Sequence, residues 1–216
     1  MCLSLAHLKI LFSTFDAGDG AFLQNVTTGA YMSNNNLALV MKERAKRVQA
    51  VTVTVHHMND VLRYTIDLTL QENGTTIAAP GLDVVNLQKL EDLCHASGLQ
   101  LLHPPFRSHS SGIHMALTGA DRAIAETGTL VLDSSSEDIR IATMLSETHI
   151  AWIPASRIMP DASALSAYMQ EKMASPPGYM AFITGPSRTA DIERVLAIGV
   201  HGPQRLHILI MEDSPS

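Results

Sequence analysis

Glu126-Thr127-Gly128-Thr129 sets a carboxylate and two hydroxyls around a glycine, between the apolar runs Ala123-Ile124-Ala125 and Leu130-Val131-Leu132. Glu126 could orient or accept hydrogen bonds from a ligand, Thr127 and Thr129 could donate to one, and Gly128 admits close approach by a ligand or another chain. A tight turn whose hydroxyls satisfy local backbone groups accounts for the same residues, and both readings stand. A second hydroxyl-rich stretch, Ile183-Thr184-Gly185-Pro186-Ser187-Arg188-Thr189-Ala190-Asp191-Ile192-Glu193, reads as a strand passing through Gly185-Pro186 into a capped helix start. Free N–H groups there, with the Ser187 and Thr189 hydroxyls and Arg188, could hold a phosphate or carboxylate. Capping by Ser187 or Thr189, with Asp191 or Glu193 offsetting the helix dipole, is the plainer alternative. His201, flanked by Gly199 and Gly202, could act as acid, base or donor near neutral pH, or sit in a turn before the last strand. Arg122 and Arg140 lie on either side of the Glu-Thr-Gly-Thr strand, where one could reach an anion or form a surface ion pair.

Other chemistries are excluded by pattern. His103, His109 and His114 lie close together beside Arg107 and Ser108, but no two histidines share a helical face and no glutamate stands at the zinc-protease spacing. No metal is expected. The chain has no Gly-x-Ser-x-Gly elbow, Walker loop or Gly-x-Gly-x-x-Gly, which removes the commonest hydrolase, NTPase and dinucleotide readings and leaves no cofactor expected. Cys2 and Cys94 are too few for a disulfide framework or an iron–sulfur cluster and point to a reducing cytoplasm. With 15 basic against 21 acidic residues the net charge is −6, so no broad cationic surface is available and nucleic acid is not an expected partner.

The elements that must position these residues alternate. A helix is predicted from Leu37 to Val48, a strand at Val51–Val55, a helix at Asn59–Glu72, a strand at Thr76–Ala79, and a helix at Val84–Ser97 closed by Gly98. Strands follow at Leu99–Leu102, Ile113–Leu117 and Thr129–Leu132, then a helix at Glu137–Leu145 and a strand at His149–Ile153. A helix at Ala162–Met173, a strand at Met180–Thr184, a last helix over 189–196 and a strand at Leu206–Met211 complete the chain. Strands alternating with helices imply an α/β fold, a mostly parallel sheet covered on both faces, with ligands bound outside the carboxyl ends of its strands. With 216 residues and 46% apolar content, a single domain is expected. The apolar segment Leu3–Phe15 contains His7 and Lys9, lacks a basic leader and is too short to span a bilayer, so neither a signal peptide nor an anchor is expected. Met32 is predicted as the natural start, with residues 1–31 an upstream extension and 32–216 the domain.

Taken together, Thr118 to Val131, His149-Ile150, Ile183 to Glu193 and Gly199-Val200-His201-Gly202-Pro203 make the chain resemble the lactate-utilisation protein C family of stand-alone LUD-domain proteins, from about Met32 to Glu212. The resemblance implies a three-layer α/β/α fold related to the sugar-phosphate isomerase and CoA-transferase superfamily. It also implies a role in bacterial oxidation of L-lactate to pyruvate, beside two partner proteins that carry the iron–sulfur chemistry. On that basis the chain is expected to be a non-redox accessory subunit that binds a small carboxylate or phosphate, or a partner's loop, between Glu126–Thr129 and the 187–193 segment. The rival expectation is an independent enzyme of the superfamily that uses Glu126 as nucleophile or base.

Overall fold

A computed structural model describes residues 34–109, 112–174, 178–190, 196–198 and 202–212. The expected extension over 1–31 lies outside these residues. In chain order the first elements are α1 (Asn34–Arg47), β1 (Val51–Val55), α2 (Met58–Gln71), β2 (Thr76–Ala78), α3 (Val84–Ala96), β3 (Gln100–Leu102) and β4 (Met115–Gly119). They are followed by β5 (Arg122–Ile124), β6 (Thr129–Asp133), α4 (Glu137–Leu145), β7 (Thr148–Pro154) and β8 (Ile158–Met159). The last are α5 (Ser166–Met173), β9 (Met180–Thr184), β10 (Arg188–Ala190), β11 (Leu196–Ile198) and β12 (Arg205–Met211).

Six strands form a parallel sheet in the order β1-β12-β7-β4-β2-β3, as the alternating pattern predicts. Its central strands read as continuous apolar runs because both faces are covered: Met115, Ala116 and Leu117 of β4 and Ile150, Ala151 and Ile153 of β7 are all buried. On one face Val61, Leu62 and Ile66 of α2 and Leu90 and Cys94 of α3 pack on Ile77, Met115, Leu117, Ile150 and Leu209. On the other face Ala142 of α4 packs with Ala78, Leu102, Phe106 and Ala116. The helix ends follow local chemistry. Asp60 at the start of α2 accepts the N–H groups of His56 and His57 at 3.1 and 2.9 Å, and Asp83 caps α3 by accepting from Asn86 N at 3.0 Å.

Burial pushes the Cys94 thiol up to about 11, with Glu91 adding to the shift, so the thiolate that reacts with disulfide reagents is scarce at neutral pH. In a Cys2→Ser variant, Cys94 is expected to resist such a reagent in the folded protein and to react within minutes in denaturant. Rapid labelling without denaturant would contradict the packing of α3.

Two parts of the tertiary arrangement differ from the pattern read along the chain. The strands at 129–133 and 180–184 do not enter the parallel sheet. They form a second, four-stranded sheet in the order β8-β5-β6-β9, in which β6 runs antiparallel to both β5 and β9. Strand β5, only three residues long, has no alternation to announce it. The described ends of the helix predicted over 189–196 are strands instead: Arg188–Ala190 pairs antiparallel with Leu196–Ile198, Arg188 opposite Ile198. Three paired residues on each side favour a hairpin, and a helix cap read from Ser187 and Thr189 carries too little free energy, about 1 kcal/mol, to oppose such pairing.

Candidate functional site

The Glu-Thr-Gly-Thr step is the turn between β5 and β6. Gly128 takes φ +67°, and a Cβ placed there would lie 2.6 Å from the backbone N of Ala45. The close approach expected at this glycine is therefore made by α1. Gly185 does the same one strand away: at φ +73° its missing side chain leaves room for the Val48 carbonyl, which a Cβ would meet at 2.3 Å. The C-terminal turn of α1 thus lies against both stretches singled out in the sequence.

The threonines join those stretches. Thr129 stands opposite Thr184 in the β6–β9 register, and their hydroxyls hydrogen-bond at 2.7 Å. Thr127 bonds to Thr129 at 2.7 Å, so three hydroxyls form a continuous chain. Glu126 is exposed; its backbone N–H donates to Pro160 O at 3.1 Å. Thr184 is the end of the chain that reaches a cavity of about 370 Å³.

That cavity lies between α4, the segment from β9 to Ser187, and the start of β12. Arg140, Gly185, Ser187, Thr184 and His149 are among its lining residues. The structure therefore brings together Arg140, Gly185 and Ser187 of the predicted set, with Thr129 one hydroxyl behind. Glu126, Thr127 and Gly128 are not in the lining. Thr189 lies on β10, while Asp191, Glu193 and His201 fall outside the described residues. The expected cradle of N–H groups at a helix start is corrected with the helix itself, since Ser187 N already donates to Pro203 O at 2.9 Å. Arg140 is anchored from within, its Nη1 donating to the carbonyls of Ser134 and Ser135 at 2.5 and 2.9 Å, with the guanidinium 5.5 Å from the Tyr179 ring. Arg122 serves elsewhere: it stacks on Tyr168 at 4.4 Å and donates to Asp121 O.

His149 is the residue that the chemistry of single motifs missed. It sits on the central strand β7, 1% exposed, with Nε2 and the Thr118 hydroxyl 2.8 Å apart. Its Nδ1 is buried with no hydrogen-bond partner. Burial alone pulls its pKa down to about 4, so at neutral pH it presents a neutral imidazole to the cavity. The signal available in the sequence was an imidazole inside the apolar run His149-Ile150-Ala151-Trp152-Ile153, a position that is costly unless the ring nitrogens are used. The other histidines are placed differently. His103 faces Glu91 at 3.3 Å, and His114 faces Glu72 and Glu147, each at 3.3 Å. Burial pushes the Glu72 carboxyl up, but hydrogen bonds from Thr148 and Arg205, with the charge of Arg205, outweigh it and hold the group below the usual carboxylate range.

A parallel sheet carrying a second sheet, with an Arg- and His-lined cavity between α4 and β9, defines an α/β domain. The chain belongs to the LUD-domain family, whose model matches residues 38–211. It is similar to lactate utilization protein C of Halalkalibacterium halodurans, 31% identical over 194 residues that cover 84% of this chain and 81% of that one. It is also similar to the protein of the same name from Bacillus licheniformis, 38% identical over 103 residues, or 46% of this chain; that alignment covers 43% of the Bacillus protein, less than half its length. Among solved structures, a DUF162 family protein from Deinococcus radiodurans matches with a TM-score of 0.53 and 18% identity, covering 83% of this chain and 99% of that one, which supports the fold.

Proposed function

We propose that this chain acts in lactate utilisation as a cytoplasmic, non-redox accessory subunit beside iron–sulfur partner proteins, and that it binds a small carboxylate or phosphate in the cavity beneath Arg140. The names of its relatives support the pathway. The two cysteines support the division of labour, because a cluster takes about four thiolates and these must then come from another chain. The buried, unpartnered Nδ1 of His149 carries the ligand reading: an orphaned polar atom on a cavity wall is costly, and an anion or carbonyl oxygen accepting its proton removes that cost. Arg140 supplies the charge, and Thr184 and Ser187 supply hydroxyls. Glu126 and Thr127, at the exposed end of the threonine chain, form the lip offered to a partner's loop. The alternative, an independent acyl-transfer or isomerising enzyme with Glu126 as nucleophile or base, requires a substrate at the exposed turn, outside the cavity.

Calorimetric titration of the purified chain with pyruvate, L-lactate and inorganic phosphate tests this reading. Saturable binding of at least one is expected, weakened tenfold or more by Arg140→Gln and by His149→Leu in variants whose thermal unfolding remains cooperative. Glu126→Gln is expected to keep that affinity and to weaken association with the iron–sulfur partners. No binding of any of the three by the unaltered chain would sink the ligand reading. A turnover by the isolated chain that Glu126→Gln abolishes would establish the enzyme instead.

A further inference from the structure

A second recess, of about 460 Å³, opens at the carboxyl ends of β2, β4 and β7. It is distinct from the first cavity: Ser134 lines the first, while its neighbours Asp133, Ser135 and Ser136 line this one. Ends of parallel strands are where an α/β sheet leaves room for ligands, because the connecting loops diverge there. Two donors on its walls are unspent. The Arg157 side chain makes no hydrogen bond or ion pair among the described residues. Trp152 Nε1 is buried with no partner, and it lies beside Gly119, where a Cβ would approach it to 3.4 Å. With no side chain at Gly119, that edge of the indole meets backbone and no side chain there. The start of α4 adds to them, since Ser136 precedes it without a side-chain capping bond.

The remaining wall has the opposite character. Asp133 is held at about 2 by hydrogen bonds from Ser135 and Lys172, with Lys172 Nζ at 2.9 Å, so it is ionised and already neutralised. Asp121 lies beside it, its Oδ2 accepting the Asp133 N–H at 2.6 Å. A carboxylate in the wall repels a bare anion but accepts hydrogen bonds from a hydroxyl. We propose that this recess binds a small hydroxylated anion, its carboxylate or phosphate held by Arg157 and the Trp152 N–H and its hydroxyl groups turned toward Asp121.

Trp152 is the chain's only tryptophan, so its fluorescence reads the recess directly. The purified full chain is titrated with D-glycerate and glycerol 3-phosphate, against acetate and inorganic phosphate. A saturable change is expected, with at least one hydroxylated anion binding five times or more tightly than its plain counterpart. Whichever of the two binds better identifies the anionic group. Arg157→Gln, at an exposed position, is expected to weaken that binding tenfold or more, and Asp121→Asn to reduce the preference for hydroxyls. Arg140→Gln, in the other cavity, is expected to weaken the signal far less than Arg157→Gln does, through Ser135 alone. The proposal is overturned by a flat fluorescence titration of the unaltered chain, by equal binding of plain and hydroxylated anions, or by an Arg157→Gln variant that binds as before. A signal abolished by Arg140→Gln alone would assign the ligand to the first cavity, leaving the reading given for that cavity intact.

Discussion

Replacing Gly128 with valine is expected to lower the unfolding free energy by about 4 kcal/mol, measured as a fall in the urea midpoint with unchanged slope. Two costs combine. At φ +67° a β-branched residue is strained, and the first atom of its side chain would lie 2.6 Å from Ala45 N and 2.8 Å from the Arg44 carbonyl carbon, both rigid helix backbone. Gly98 separates the two, because it has φ +69° with nothing within 4 Å of the added Cβ. Gly98→Ala is therefore expected to cost only about 1 kcal/mol, the strain alone. Gly185→Ala, whose Cβ would lie 2.3 Å from Val48 O, belongs with Gly128. Since both glycines press on the same end of α1, a helix displaced by the first substitution already accommodates much of the second. The double variant is expected to lose less than the sum of the single losses. A loss at Gly128 no larger than at Gly98 would show that α1 does not rest on this turn.

Acid is expected to cost the fold about 3 kcal/mol between pH 6.5 and pH 4 through His149 alone. Its ordinary value is 6.5, and burial depresses it to about 4 in the folded protein. Over that window the unfolded chain takes up a proton that the folded chain does not, so stability falls by about 1.36 kcal/mol per pH unit and levels off below pH 4. The contribution is fully present above pH 6.5. Denaturant titrations at half-unit intervals of pH, compared between the unaltered chain and His149→Leu, isolate this loss, because the variant keeps the carboxylates and lacks the imidazole. A variant whose stability falls as steeply across the window would remove His149 as the cause. The same comparison bears on the ligand: an anion bound against Nδ1 raises the folded pKa of the imidazole and is expected to shrink the slope.

Most elements of the parallel sheet were legible from their own residues. Val51–Val55 alternates, α2 carries its apolar face at helical spacing behind Asp60, and Gly98 marks the end of α3 by taking a positive φ. These are interactions within a few residues, which a linear pattern records. Strands β6 and β9 were visible as strands but not as partners of each other, because the apolar run Leu130–Leu132 says that both faces are buried and nothing of which chain lies alongside. The hairpin of 188–190 with 196–198 was hidden for the same reason. Hydroxyls that cap a helix also suit the start of a turn, and pairing across the gap decided between them.

The site divides along that line. By itself the sequence determined the α/β class, the absence of enough thiols for a cluster, and two hydroxyl-rich glycine turns in an otherwise apolar chain, because composition and short-range spacing suffice for each. Only the tertiary structure decided that α1 occupies the space left by Gly128, that Thr129 meets Thr184, and that His149, met along the chain as one more strand residue, faces a cavity with Arg140. Those relations join residues far apart in the chain, and burial creates them: excluding water makes an unpaired imidazole nitrogen and an unpaired indole N–H costly, and a residue's letter does not say whether water reaches it.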